Sequence, residues 1–232
     1  MVVRKLRRTS LSVDAYAFVR DLLTNGTRYR PGEKISVEEL SRELGVSRTP
    51  LWGAINRLEA EGIVEIVPRQ GVYLIDYDPD RVLEIYQARE ALEGMAARLA
   101  AENITDRQIA ALETNVEEQR KLLAKNDVTG YYALALDFHE QIARLAHNRT
   151  LQRLLASILA QIRAMGIQHN YMPTHLPQSC DDHNKLISAL RARNPDAAER
   201  EARTHMQDLF EEVKRTLRAE QAAAGPRKKT SG

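Results

Sequence analysis

The sequence predicts a mainly α protein in two parts: three N-terminal helices closed by a β-hairpin, then a larger all-α bundle. Three observations carry this reading. Apolar residues recur at helical spacing through most of the chain, and a composition with 5% aromatics and many Ala, Leu, Arg and Glu residues favours helices. Between residues 64 and 75 the pattern switches to two short β-rich runs around a Gly-containing turn. From Pro79 onward no strand signal remains.

The first helix, residues 11–24, is amphipathic, with Val13, Ala17, Val19 and Leu22 or Leu23 expected on its buried face; Asn25-Gly26 ends it. Arg30-Pro31-Gly32 reads as a turn. Ser36-Val-Glu-Glu39 reads as a capping box opening a short helix to about Leu44, which Gly45 breaks. The third helix starts at Ser47, a good N-cap, and Pro50 is tolerable in its first turn. Leu51, Ala54, Ile55, Leu58 and Ile63 share one face, which is therefore buried. Arg48 and Thr49 then stand at the exposed, positively polarised helix start, which suits phosphates and base edges. Taken alone, the stretch also fits an ordinary capped surface helix. Two short helices separated by Gly45-Val46 make a helix-turn-helix. Val64–Val67, Pro68–Gly71 and Val72–Ile75 add a hairpin, and three helices with such a hairpin describe a winged helix.

The second part reads as helices at about 79–102, 105–126, 128–147, 150–170, 179–193 and 195–222. Caps mark several starts: Asp78 with Pro79, Thr105, Asn148, and Asn194 with Pro195. The period changes at Tyr77-Asp78, the expected linker. The domains are therefore 1–76, a winged helix, and 79–222, a helical bundle, with 223–232 a disordered basic tail.

A chain of 232 residues, 43% apolar and 28% charged, fits two ordinary globular domains. No apolar run approaches the roughly 18 residues of a membrane span, and the basic start leads into no apolar signal core. The single cysteine, Cys180, cannot form an internal disulfide, and a cytoplasmic location is expected. Net charge is only +2, but in the first thirty residues Arg4, Lys5, Arg7, Arg8, Arg20, Arg28 and Arg30 face only Asp14 and Asp21. A basic arm carrying Arg7 and Arg8 ahead of a helix-turn-helix suits phosphate contact.

The N-terminal domain resembles the GntR family of bacterial transcription regulators. The resemblance is carried by Arg30-Pro31-Gly32, Leu40–Pro50 (LSRELGVSRTP), Leu58–Gly62 (LEAEG) and Arg69–Gly71 (RQG). The helical domain looks like the ligand-sensing domain of the FadR-type branch, through Gln87–Glu93 (QAREALE), Phe138-His139, Asn148, Asp182-His183 and His205. Six helices point to its shorter, VanR-like subgroup. The resemblance implies a recognition helix in the major groove, with Ser47, Arg48 and Thr49 at base edges or phosphates and Arg69, Gln70 and Gly71 at the wing tip. Where the family usually has Arg-Glu, this chain has Trp52-Gly53. Trp52 shares a face with Arg48, so it either meets the DNA, on a thymine methyl or sugar edge, or folds back onto its domain.

The resemblance also implies that His139, His183 and His205, on three helices, are metal ligands, and neutral imidazoles suit zinc or nickel. The family's further ligand lies four residues before the first histidine, where this chain has Ala135. Asp137 is about 200° around the helix from His139 and does not substitute. Three ligands can still hold zinc, with water or an effector carboxylate completing the shell; a metal-free polar pocket is the alternative. Arg89 is implied as the anion-binding group, its plainer role being an i,i+4 pair with Glu93. The implied function is a ligand-responsive, homodimeric DNA-binding regulator reading an inverted repeat, a repressor released by a small carboxylic acid, and not an enzyme. Two alternatives stand beside it. One is a metal-dependent hydrolase built on the three histidines, which lacks an obvious general base and leaves the helix-turn-helix unexplained. The other is a DNA-binding protein that senses nothing.

Overall fold

The computed structural model describes residues 7–24, 28–165 and 175–224, with side chains described from Val13. The chain divides into two compact units: Met1–Tyr77 with Ser157–Gly166, and Asp78–Ala156 with Ile167–Gly232.

In the first unit, α1 spans Arg7–Thr24 and packs on α3. Its buried residues are Ala15, Tyr16, Val19 and Leu23, whereas Val13 (58% exposed) and Ala17 face outward, against expectation. Residues 15, 19 and 23 form one stripe, and Val13 and Ala17 lie two positions, about 200°, off it. Tyr16 pins the choice. Its hydroxyl donates to Glu61 at 2.7 Å, and Arg57 lies over its ring. Residues 25–27, including the expected stop at Asn25-Gly26, lie outside the described residues.

Strand β1, Lys34–Ile35, has no counterpart in the sequence reading, being too short to show a period. It follows the Arg30–Gly32 turn and pairs with β3, giving an antiparallel sheet of order β1-β3-β2. Helix α2, Val37–Leu44, is capped by Ser36, whose side chain accepts from the Glu39 N–H. The reciprocal half of the expected capping box is absent; the Glu39 carboxylate lies 3.4 Å from Arg28 instead. Gly45 ends α2 at φ 62°, the left-handed geometry glycine adopts without strain.

Helix α3, Arg48–Ala60, buries Leu51, Ala54, Ile55 and Leu58. Ser47 occupies its N-cap position, but its side chain makes no capping hydrogen bond. Strands β2, Val64–Val67, and β3, Gly71–Leu74, form the hairpin in a register pairing Val64 with Leu74 and Val67 with Gly71. Ile35, Leu40, Leu51, Ile55, Leu58, Ile63, Val72 and Leu74 make the core. Ala160 and Ala164, far along the chain, join it. Beside them Ser157 Oγ and Gln161 Nε2 donate to the backbone oxygen of Glu61, the C-cap of α3, at 3.2 and 2.8 Å.

The remaining helices are α4 (Pro79–Asn103), α5 (Asp106–Ala124), α6 (Val128–Leu145), α7 (Arg149–Met165), α8 (Leu176–Arg191) and α9 (Pro195–Ala224). Their starts are capped by side chains: Asp78 for α4, a Thr105–Gln108 capping box for α5, Asp127 for α6, Asn148 for α7 and Asn194 for α9. Helix α8 begins at Leu176, three residues before the expected start, with Pro177 in its first turn, where no N–H is needed. Helix α4 packs along α9, and small residues allow a close approach: a Cβ at Gly94 would stand 2.8 Å from Arg203 Cγ. Residues 166–174 and 225–232, which include most of the predicted tail, lie outside the described residues. Among the described residues no helix is long and apolar enough to cross a membrane.

Candidate nucleic-acid interface and buried histidine cluster

The start of α3 is bare. Ser47, Arg48, Thr49, Trp52 and Gly53 are all exposed, and the Arg48 side chain keeps 69% of its surface in solvent. Its acidic neighbour, Glu38, is 3.9 Å away and equally exposed, a pairing too loose to hold the guanidinium. Trp52, one turn on, remains 38% exposed on the same side of the helix. The wing turn carries Arg69 and Gln70, both exposed, with Arg69 at φ 65°. At Gly71, φ is 131°, so the backbone favours glycine there; the end of the Lys34 side chain, 2.8 Å from where a Cβ would stand, could move aside. Arg7 and Arg8 open α1, but their side chains are outside the described ones.

The second cluster is buried. His139 on α6, His183 on α8 and His205 on α9 bring their rings together at centroid distances of 4.8–5.5 Å, and one donor atom from each lies within 4.8 Å of the others. Phe138 stacks on His183 at 4.2 Å. Each ring turns its Nδ1 toward a side-chain oxygen. His183 Nδ1 is 3.1 Å from Gln119 Oε1 on α5, His139 Nδ1 is 2.6 Å from Glu93 Oε2 on α4, and His205 Nδ1 is 3.5 Å from Asp182 Oδ2 on α8. The Gln119 contact is a formed hydrogen bond; the two carboxylates are close enough for charge interaction but lie outside hydrogen-bond geometry. His183 Nε2 and both nitrogens of His205 are buried without a hydrogen-bond partner. Buried polar atoms are normally satisfied, so a knot of unpartnered imidazole nitrogens fits a bound cation.

Burial keeps the His139 and His183 rings neutral, the state that coordinates metal. Burial lowers His139 to about 4, with Arg89 and His205 acting in the same sense against Glu93, and burial puts His183 well below the ordinary histidine value. Burial alone would raise the Glu93 carboxyl, but the charge of Arg89 and contact with His139 prevail and hold it at about 2. Asp182 is likewise held below the carboxylate range: burial opposes, and contacts with His205, Lys185 and Gln178 outweigh it.

Arg89 is almost fully buried and its Nε lies 2.5 Å from Glu93 Oε1, so the intrahelical pair is formed. Its Nη1 is nevertheless buried without a partner. Arg89, Ala135, His139, His175, His183 and His205 all line one small cavity of about 20 Å³, room for an ion or about one water molecule. Ala135 adds no donor atom there. Asp137 is engaged elsewhere, by Asn115, Gln141 and Arg144.

Sequence reasoning missed Gln119, the pairing of Glu93 with His139, and the half-buried His175. A polar residue on an apolar stripe was the available signal for the first: Leu112, Asn115, Val116 and Gln119 form the inward face of α5. For His175 the signal was spacing, since Asp182 and His183 follow it by seven and eight residues, two helical turns.

A winged helix with an exposed recognition-helix start, followed by an all-α domain with a buried histidine cluster, defines a DNA-binding transcription regulator. Residues 11–74 match the bacterial regulatory proteins of the gntR family and residues 84–208 match the FCD domain; the chain belongs to the GntR family, with an FCD domain of the FadR type. Among its relatives, the HTH-type transcriptional repressor RspR of Escherichia coli (strain K12) is 31% identical over 79% of this chain and 81% of that protein. The Nta operon transcriptional regulator of Aminobacter aminovorans is 32% identical over 82% and 89%. The solved structure of E. coli McbR/YncC superposes with a TM-score of 0.77 at 21% identity, covering 93% of this chain and 99% of that one, which supports the fold. The hydrolase alternative falls here, because the family consists of transcription regulators, not enzymes.

Proposed function

We propose that this regulator is a ligand-responsive repressor that works in the cytoplasm as a homodimer. Its winged helices bind an inverted-repeat operator and leave it when a small carboxylic acid enters the helical domain. For the DNA contacts, the bare, basic start of α3 supports Arg48, Thr49 and Trp52, with Ser47 beside them, Arg69, Gln70 and Gly71 at the wing, and Arg7 and Arg8 on the backbone. One winged helix spans only a few base pairs, and two-fold symmetry doubles the contact set.

The observation that carries the sensing half is the cavity itself. It combines three buried imidazoles, whose Nδ1 atoms are backed by oxygens, with the unpartnered Nη1 of Arg89. His139, His183 and His205 would hold a divalent cation such as zinc or nickel, which would supply a Lewis acid for a carboxylate oxygen. Arg89 would take the second oxygen through Nη1.

The test is a mobility shift on a duplex selected by the protein from randomised DNA, run with metal-loaded and metal-stripped protein against a panel of small carboxylic acids. Release by at least one acid, dependent on metal, is the expected result. Tight DNA binding unaffected by every acid and by metal would favour the reading in which the protein senses nothing. A monomer at micromolar concentration that still binds DNA tightly would overturn the dimer.

A further inference from the structure

The unpartnered atoms around His205 fall on two sides of its ring. Nδ1 faces Asp182, whose Oδ2 is 3.5 Å away, buried, and makes no hydrogen bond. His175, heading α8, has a buried Nε2 that is also unpartnered, and one donor atom from each of His175, Asp182 and His205 lies within 4.8 Å of the others. The opposite nitrogen, His205 Nε2, is buried and unpartnered as well. It remains for the cluster with His139 and His183.

We propose that His175, Asp182 and His205 form a second divalent-cation position, which this chain fills in preference to the three-histidine one and which excludes it. The inference rests on the proposal above that the helical domain takes up a divalent cation, and it moves that ion from the three-histidine set to this one. Exclusion follows from the ring: a neutral imidazole has one lone pair, so coordination through Nδ1 puts the proton on Nε2, and the reverse. His205 serves one position at a time.

Preference follows from charge, since each set offers three donor atoms. The three-histidine set brings no charge of its own, and its nearest carboxylate, Glu93, is already paired with Arg89 at 2.5 Å. The second set brings the Asp182 carboxylate and two imidazoles, a donor combination suited to zinc and other first-row divalent ions. Asp182 Oδ1 is taken by Gln178 and Lys185, each at 2.9 Å, but Oδ2 is left. The Lys185 side chain is 57% exposed and its charge largely screened. Because Asp182 and His183 are neighbours on α8 and His175 is its N-cap, both positions draw on the same helix.

Zinc titration calorimetry and cobalt(II) absorption on the full chain, purified metal-free, test this. Wild type is expected to take up one equivalent, with a cobalt spectrum that His175→Ala changes and His183→Ala leaves alone. Each single variant still takes up one equivalent, whereas His205→Ala and the double variant His175→Ala/His183→Ala lose uptake. A wild-type spectrum unchanged by His175→Ala would overturn the proposal, and this arm stands even if His183→Ala fails to fold. Two equivalents in wild type would overturn the exclusion. Loss of all uptake in His183→Ala that still unfolds cooperatively would return the ion to the three-histidine set. No uptake by wild type would instead remove the metal reading itself, and this inference with it.

Discussion

Gln119 fixes the tautomer of His183: its Oε1 lies 3.1 Å from the ring Nδ1, and the direction of that hydrogen bond is set three residues away. The Asp137 carboxylate can only accept, so the Asn115 amide must donate to it, at 3.2 Å. Asn115 Oδ1 is then left to accept from Gln119 Nε2 at 2.7 Å, which leaves Gln119 Oε1 to accept from the His183 Nδ1–H. The lone pair of His183 therefore sits on Nε2, toward the cluster. Nitrogen NMR of the metal-free protein is expected to report a neutral Nδ1–H tautomer for His183. Gln119→Leu is expected to lose that single tautomer and about 1–3 kcal/mol of stability, the penalty for a buried donor left without a partner. A His183 signal indifferent to Gln119→Leu would break the chain of reasoning at its last link.

Burial of neutral histidines makes the metal-free fold acid-sensitive. The folded pKa of His139, about 4, lies below the ordinary 6.5, so between those values the unfolded chain binds more protons than the folded one. Stability is thus complete above about pH 6.5 and falls as pH drops toward 4, by roughly 2 kcal/mol at pH 5 from His139 alone. Glu93, held at about 2, adds its own loss only below its ordinary 4.5. Thermal unfolding at pH 7 and pH 5 checks this: His139→Gln should show a shallower drop than wild type, and a wild type with equal midpoints at both would contradict it.

Much of this architecture is legible in residue order because its signals are local. Caps, Gly45, and the change from a helical to an alternating period each act within a few residues, and they mark the helix-turn-helix and the hairpin. What the sequence hides is tertiary. Helix α1 carries apolar residues on two stripes, and only the contact of Tyr16 with Glu61 and Arg57 tells which one turns inward. Ala160 and Ala164 have helical periodicity like any bundle residue, and nothing local says that they complete the winged-helix core. The three histidines can be singled out by resemblance. The oxygens that orient them come from other helices at sequence separations of 23 to 64 residues, and no spacing rule links them.

At the DNA face, Arg48 has no competing ion pair of consequence and the N-terminal end of α3 behind it. Arg48→Ala is expected to weaken operator binding by about 1–3 kcal/mol, roughly 5- to 150-fold, with unfolding unchanged. Equal operator affinity for the variant and wild type would remove Arg48 from the interface.

Trp52 lies one turn beyond Arg48 and partly in solvent. Trp52→Arg puts a bidentate donor where an indole offers only a weak contact, and a guanidinium favours guanine. Binding selections on randomised DNA should therefore return different preferred sites for the two proteins, with guanine enriched in the variant. Identical sites would mean that Trp52 does not reach the groove.

Arg89 and Glu93 form a buried pair whose members cannot be removed singly without stranding a charge. Arg89→Met leaves the Glu93 carboxylate, 6% exposed, with only His139 beside it, and is expected to cost about 3–5 kcal/mol. Arg89→Met combined with Glu93→Gln removes both charges and should recover most of that stability, since a buried ion pair contributes little more than an apolar replacement of similar volume. The double variant then separates two roles that the single one confounds. If Arg89 serves only to balance Glu93, the folded double variant will bind DNA and respond to acids as wild type does. If Nη1 takes an effector oxygen, the double variant will fold and bind DNA but will need far more acid to release it. Thermal unfolding and acid-titrated mobility shifts on the same preparations distinguish the two, and a wild-type acid response in the double variant would exclude Arg89 from effector binding.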